Sequence, residues 1–123
     1  MERLAEASLE PHERRVLELL VISLQREFAS DLRGIWLYGS RARGEPAEED
    51  SDVDLIVVST RATRDDHLRA IKLGTEVAMA EGVNPALFSI KLFDPEYVEQ
   101  RRRVGSFFMR EVDRDKVVLA GEP

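Results

Sequence analysis

The sequence predicts an α/β or α+β fold with a small β-sheet, and two recurring patterns support this class. Several segments carry apolar residues at helical spacing, which is typical of amphipathic helices. Short apolar runs lie between these segments and are typical of buried strands. Because the two kinds of segment alternate along the chain, we expect helices packed against a sheet.

The first part of the chain predicts a helix followed by a strand. The helix is expected from Pro11 to about Ser30, since proline suits a first helical turn. Gly34 then ends the segment, and residues 35–38 form an apolar run without alternation. Such a run is most simply a strand buried on both faces. The apolar stripe of the helix comprises Leu17, Leu20, Leu24 and Phe28.

A second strand and a second long helix are predicted in the middle of the chain. Residues 53–58 are strand-like, and the helix is expected over 64–81. Thr63 and Asp66 have the spacing of a capping box at its start. Gly74 inside this helix costs roughly 1 kcal/mol relative to alanine, so we expect a close packing contact there.

The last third predicts a strand, one or two helices and an edge strand. Residues 86–93 alternate well enough for a strand. Asp94 and Pro95 then have the residue types of an N-cap and a first helical position. The helix is expected to run to about Val104 and to continue or restart past Gly105. A short apolar run at 117–119 is consistent with an edge strand.

Length and composition exclude several classes of protein. A chain of 123 residues is expected to form one domain, 1–123. Hydrophobic residues make up 43% of it, which excludes a disordered chain. The longest apolar runs fall far short of the ~20 residues of a membrane span, and the N-terminal segment lacks a signal core. We therefore expect a cytoplasmic protein with no membrane partner.

Charge and cysteine content limit the binding partners and metal ligands that the chain can have. The chain has 18 basic and 24 acidic residues, a net charge of −6, which argues against nucleic acid as a partner. The absence of cysteine excludes disulfides, thiolate metal ligands and a cysteine nucleophile. A metal site would therefore need oxygen ligands.

A first candidate motif follows the strand that ends at residue 38. Gly39 lets the backbone turn sharply and lets a ligand approach closely. The Ser40 hydroxyl and the free N–H groups of a following short helix can hold phosphate oxygens. Arg41 and Arg43 are close enough in sequence to add positive charge. Taken alone, the same residues are more simply explained as a turn.

A second candidate motif begins the strand at residue 53. Asp52 and Asp54 lie two residues apart, so their side chains share one face of a strand. Two adjacent carboxylates need a cation, water or a raised pKa in one of them. Mg²⁺ prefers oxygen ligands and is commonly held by one or two carboxylates plus substrate phosphates. The alternative is that both carboxylates simply cap the start of the strand in water.

The two motifs together favour a phosphate-transfer site. If their strands are neighbours, the phosphate-binding turn faces the carboxylate pair, as metal-assisted phosphoryl or nucleotidyl transfer requires. Acidic residues are concentrated around this site, which favours a divalent cation. They are Glu45, Glu48, Glu49, Asp50, Asp52 and Asp54.

The segment from Gly39 to Gly44, GSRARG, followed by residues 51–55, SDVDL, resembles the signature of the DNA polymerase β-like nucleotidyltransferase superfamily. The short chain resembles its minimal nucleotidyltransferases. The resemblance implies a nucleotidyltransferase-like fold, with a small mixed sheet and helices mainly on one face. It implies that Gly39 and Ser40 hold the β,γ-phosphates, and that Asp52 and Asp54 are the catalytic residues that bind Mg²⁺.

The implied reaction is transfer of a nucleoside monophosphate to a hydroxyl, with release of pyrophosphate. The donor would be ATP or another NTP, AMP from ATP being the first choice, and the acceptor a partner protein or small molecule. A rival expectation is an antitoxin that neutralises a HEPN-domain toxin, with weak or no catalysis. A homodimer is also left open.

The sequence departs from the family at one point. Members with full catalytic equipment carry a third carboxylate on a later strand, whereas residues 86–93 contain none. Ser89 or Lys91 would stand in its place, and Asp94, the nearest carboxylate, is better explained as a helix cap. Phe107 and Phe108 are expected in the core or, if exposed, in a dimer contact.

Overall fold

The computed structural model describes residues 6–45 and 52–123. The helices in these residues are α1 (Pro11–Phe28), α2 (Gly39–Ala42), α3 (Arg64–Ala80), α4 (Pro95–Arg103) and α5 (Phe107–Asp115). The strands are β1 (Leu32–Tyr38), β2 (Val53–Ser59), β3 (Phe88–Phe93) and β4 (Val117–Gly121). The predicted elements are thus present, with ends that differ by a few residues. None of these helices is long and apolar enough to cross a bilayer.

Helix α1 begins and buries its stripe as predicted. Pro11 takes the first helical position, and the Glu10 backbone N–H donates to Glu13 Oε1 at 2.8 Å. The helix ends two residues earlier than the predicted Ser30, at Phe28, because Ala29 adopts a positive φ of 48° and a short 3₁₀ turn follows. The buried face comprises Val16, Leu17, Leu20, Leu24 and Phe28.

The four strands form one mixed sheet in the order β3-β2-β1-β4. Strand β1 runs antiparallel to both β2 and β4, whereas β2 and β3 are parallel. A parallel pair needs a crossover connection, which α3 supplies between β2 and β3. This arrangement places β1 and β2, which adjoin the two candidate motifs, side by side in the centre of the sheet.

The two faces of the sheet carry different helices. The long helices α1 and α3 cover the face to which Val53, Leu55 and Val57 contribute. Gly74 of α3 makes the expected close contact on this face, since a Cβ there would lie 2.7 Å from Ile90 Cδ1. The shorter helices α4 and α5 pack on the other face, against Ile56 and its neighbours. The alternation predicted for β2 is therefore confirmed.

Trp36 lies in the core between the sheet and the α4–α5 pair. Its indole N–H donates to the backbone carbonyl of Glu122 at 2.7 Å. The ammonium of Lys116 lies 4.0 Å from the centre of the ring, and the Arg102 guanidinium 5.6 Å from it. The side chain is thus held by a hydrogen bond at its N–H and by two cations over its ring.

Candidate active site

The sheet brings the two sequence motifs into direct contact. In the antiparallel pairing of β1 with β2, Tyr38 lies opposite Asp54, and Gly39 follows Tyr38 at once. A Cβ built on Gly39 would lie only 2.7 Å from Asp54 Oδ2. Gly39 also has a φ of +79°, which L side chains rarely adopt. Glycine is therefore required here both by the turn and by the carboxylate beside it.

The two aspartates differ in exposure. Asp52 is exposed just before β2, whereas Asp54 is partly buried within it. Burial raises the pKa of Asp54, and the nearby Asp52 carboxylate raises it further. The cations of Lys91 and Arg41 partly offset this effect. The ionised pair is thus held in an environment that an added cation would stabilise, and its oxygen donors suit Mg²⁺.

Lys91, which the sequence named only as a residue standing where a third carboxylate was expected, contacts Tyr38 beside the aspartates. The strand order is β3-β2-β1, so the Lys91 side chain must cross β2 to donate from Nζ to Tyr38 Oη at 3.0 Å. Since Tyr38 pairs with Asp54, this crossing brings the ammonium to the face that carries the aspartates. Only the register of β3 against β2 reveals this position, and no local sequence signal encodes it.

Ser40 lies on α2, directly after Gly39, and is partly buried. Its backbone carbonyl accepts a hydrogen bond from the Glu45 N–H at 3.2 Å, which closes the turn. Tyr38, the N-cap residue, gives no side-chain hydrogen bond to α2. Within the described residues, the N-cap side chain thus leaves the first N–H groups of α2 uncapped.

The structure gives Arg41 a different role from the predicted phosphate contact. Its side chain is buried, with a residue exposure of 3%, and its guanidinium donates to both carboxylate oxygens of Glu13, at 2.8 and 3.2 Å. It also donates to the Ser8 carbonyl at 2.9 Å. Arg41 therefore ties α2 to the start of α1, and a phosphate would have to displace a buried ion pair to reach it.

Arg43, in contrast, lies at the surface. It donates to Glu45 Oε1 at 2.9 Å and to Asp115 Oδ2 at 3.2 Å. Exposed pairs of this kind are weak, so the guanidinium can exchange them for a phosphate. Of the two arginines predicted beside the phosphates, Arg43 has its guanidinium at the surface and Arg41 has it buried.

No third carboxylate joins Asp52 and Asp54 within the described residues, which contain no group of three or more potential metal ligands. Ser89 pairs with Asp54 across β2 and β3. Asp94 lies at the opposite end of the sheet, because Phe93 pairs with Val58. Its Oδ1 accepts from the Tyr97 N–H at 2.7 Å, which confirms it as the cap of α4. Of the predicted acidic cluster, Glu48, Glu49 and Asp50 lie outside the described residues, as does Ser51 of the motif.

Comparison with known families gives a match over most of the chain. Residues 20–113 match the family model described as nucleotidyltransferase domain. This range contains both motifs and the strands β1, β2 and β3. Among curated proteins, no sequence matches the chain.

Several solved structures are similar in fold. A toxin–antitoxin crystal structure with AMP-PNP has a TM-score of 0.52 at 20% identity, covering 84% of this chain and 72% of that one. A mutant of the toxin–antitoxin MntA–HpeT has a TM-score of 0.51 at 17% identity, covering 83% and 71%. A tri-AMPylated HEPN toxin of Shewanella oneidensis in complex with MNT antitoxin gives 0.49 at 18%, covering 89% and 73%. For the first two structures, the likeness at these identities shows the fold.

Proposed function

This chain belongs to the nucleotidyltransferase domain family, and from that premise we propose that it transfers a nucleoside monophosphate in a Mg²⁺-dependent reaction. The donor is ATP, and the acceptor is a hydroxyl group of a partner protein or small molecule. The observation that carries this proposal is the contact of Gly39 with Asp54, since it joins a phosphate-binding turn to a carboxylate pair.

Each residue of the proposed site has a role that follows from its chemistry. Gly39 leaves room for the backbone to approach a phosphate, and Ser40 offers a hydroxyl to its oxygens. Arg43 adds positive charge at the rim. Asp52 and Asp54 would hold Mg²⁺, which when bound neutralises negative charge on the phosphates. Arg41 supports the turn from beneath and has no direct part in binding.

The transfer balances as a displacement at phosphorus. The acceptor oxygen forms a bond to the α-phosphorus, and the bond from that phosphorus to the oxygen bridging to the β-phosphate breaks. Pyrophosphate leaves, and the hydroxyl proton passes to water. The described residues place no third carboxylate as a general base. Without one the step forgoes a factor of typically 10²–10⁴, so we expect slow turnover on an unactivated hydroxyl.

Calorimetry with Mg²⁺ and ATP tests the proposal directly. We expect the wild type to bind ATP only when Mg²⁺ is present, and the double variant Asp52→Asn with Asp54→Asn to lose this binding. Asp65→Asn, an exposed aspartate on α3, is the matched control and should bind as the wild type does. Binding that is insensitive to Mg²⁺, or that survives the double substitution, would contradict the proposal.

A second candidate function is neutralisation of a HEPN-domain toxin. The support is that two structures similar in fold are described as toxin–antitoxin structures, one of them with AMP-PNP. Co-expression with HEPN-domain proteins encoded beside this chain separates the possibilities. A complex that survives the double Asp→Asn substitution favours neutralisation by binding, whereas AMP added to the partner by the wild type alone favours neutralisation by transfer.

A further inference from the structure

An open pocket of ≈ 340 Å³ adjoins the phosphate-binding turn. One side is formed by Tyr38 and Gly39, and the opposite side by residues of α5. Its volume falls in the range of about 300–1,000 Å³ that is typical of small-molecule sites. We call it the α5 pocket, and it is lined by Tyr38, Gly39, Arg43, Phe107, Phe108, Glu111, Val112 and Asp115.

Two phenylalanines give the α5 pocket an aromatic wall. Phe108 packs edge-on against Tyr38, with ring centres 5.7 Å apart and an interplanar angle of 88°. Phe107 begins α5 and leaves 75% of its surface exposed, so the expectation that it lies in the core is wrong. Its free ring face borders a pocket beside the nucleotide site. Aromatic side chains in such positions stack on nucleobases, at about 1–3 kcal/mol per base.

Two carboxylates and one guanidinium line the α5 pocket, those of Glu111, Asp115 and Arg43. Arg114 donates to both carboxylates, and Arg43 also donates to Asp115. A carboxylate has about four acceptor positions, so Glu111 can accept a further N–H group, such as the exocyclic amine of a base. Gly39 and Arg43 lie where the phosphates are proposed to bind, whereas the aromatic wall and Glu111 suit a neutral, amine-bearing ring.

We infer that the α5 pocket seats the nucleobase of the donor nucleotide, with Phe107 stacked on its face. The inference rests on the proposed function, since the phosphates must occupy the turn at Gly39 for the base to reach the pocket. It commits to adenine, whose exocyclic amine would donate to Glu111. The rival occupants are the acceptor's side chain and a second copy of the chain.

Calorimetry with two ligands, Mg²⁺–ATP and Mg²⁺–tripolyphosphate, separates the base from the phosphates. We expect Phe107→Ala to weaken ATP binding by about five- to hundredfold, as loss of stacking predicts. Tripolyphosphate should bind the variant and the wild type equally, because it has no base. Phe107→Trp should restore the affinity for ATP. Met79→Ala truncates another exposed apolar residue, on α3, whose exposed fraction is 67%. It should leave the affinity for both ligands unchanged.

Each other outcome is decisive. If the wild type binds neither ligand, the proposed function fails and this inference with it. If tripolyphosphate binds but Phe107→Ala leaves ATP affinity unchanged, only the inference fails. Slower transfer at unchanged ATP affinity would assign the pocket to the acceptor, and a shift from dimer to monomer in light scattering would assign it to a second copy. Equal weakening of both ligands would show an indirect effect on the turn.

Discussion

The backbone of Gly39 lies against the carboxylate of Asp54, so closely that a methyl group at residue 39 would stand 2.7 Å from Oδ2. The two residues belong to separate motifs and separate strands. Their contact fixes where a phosphate held at the turn must lie relative to the proposed metal ligand. The narrow space between them therefore requires glycine at residue 39 and keeps a phosphate held at the turn close to the proposed metal ligand.

Gly39→Ala should abolish Mg²⁺-dependent nucleotide binding, because the new methyl group displaces the Asp54 carboxylate. The positive φ should also destabilise the fold by about 1–3 kcal/mol. Gly82→Ala is the matched control, since Gly82 has a similar φ of +73° and nothing within 4 Å of its built Cβ. It should show similar destabilisation in urea unfolding but normal binding. Loss of binding in both variants would attribute the effect to backbone strain alone.

Asp54→Asn should raise the melting temperature of the metal-free protein at pH 7. Burial raises the pKa of Asp54, so the folded protein holds this proton more tightly than the unfolded chain does. The stabilisation is present at low pH and is lost as pH rises through the folded pKa, which leaves a destabilising charge at pH 7. Thermal melting in chelator from pH 7 to pH 3 tests this. The rise in melting temperature of Asp54→Asn over the wild type should shrink towards zero below the ordinary aspartate pKa of about 3.9.

Asp52→Asn gives the comparison for that experiment. It relieves the repulsion between the carboxylates but removes no buried charge, because Asp52 is exposed. We expect a smaller rise in melting temperature than for Asp54→Asn. A gain for Asp54→Asn that persists unchanged at pH 3 would mean that packing, rather than ionisation, stabilises the variant.

The two arginines of the first motif should separate stability from binding. Arg41→Met leaves the Glu13 carboxylate buried without its partner, which should cost about 3–5 kcal/mol in urea unfolding. Arg43→Met removes only exposed pairs and should cost less than about 1 kcal/mol. Calorimetry with ATP should show weaker binding for Arg43→Met. If Arg41→Met remains stable but loses ATP, then Arg41 contacts phosphate after all.

Lys91→Met should strengthen Mg²⁺ binding in the absence of nucleotide by several-fold, because it removes a positive charge from the face that carries the aspartates. Lys72→Met, at an exposed position of α3, serves as the control and should leave the affinity unchanged. The measurement is a Mg²⁺ titration at two salt concentrations. Unchanged or weaker Mg²⁺ binding in Lys91→Met would show that the ammonium orders the site through Tyr38 rather than opposing the cation.

Local patterns predicted the helices, the strands and one face of the site. Asp52 and Asp54 are expected on one face of the strand, and Val53 on the other, because side chains alternate with a period of two along a strand. The capping box at Thr63 and the cap at Asp94 were also confirmed, since each depends on residues within one turn of a helix. Signals of this range are encoded in contiguous sequence and can be read from it.

Contacts between distant segments could not be predicted in the same way. Arg41 belongs by its place to a phosphate-binding motif, yet its partner Glu13 lies 28 residues earlier on α1. Lys91 reaches the site only through the register of β3, and Phe107 borders it only through the packing of α5. In each case tertiary packing, which contiguous sequence does not encode, determined which group the residue meets.

The buried position of Trp36 has a practical consequence, because it is the single tryptophan of the chain. Its indole lies on the same strand as Tyr38, between two cations and the backbone carbonyl of Glu122. Its fluorescence therefore reports on one place, the junction of the sheet with α4 and α5. A ligand or partner that moves these helices will change the emission without any added label, so that binding can be followed in real time by stopped flow.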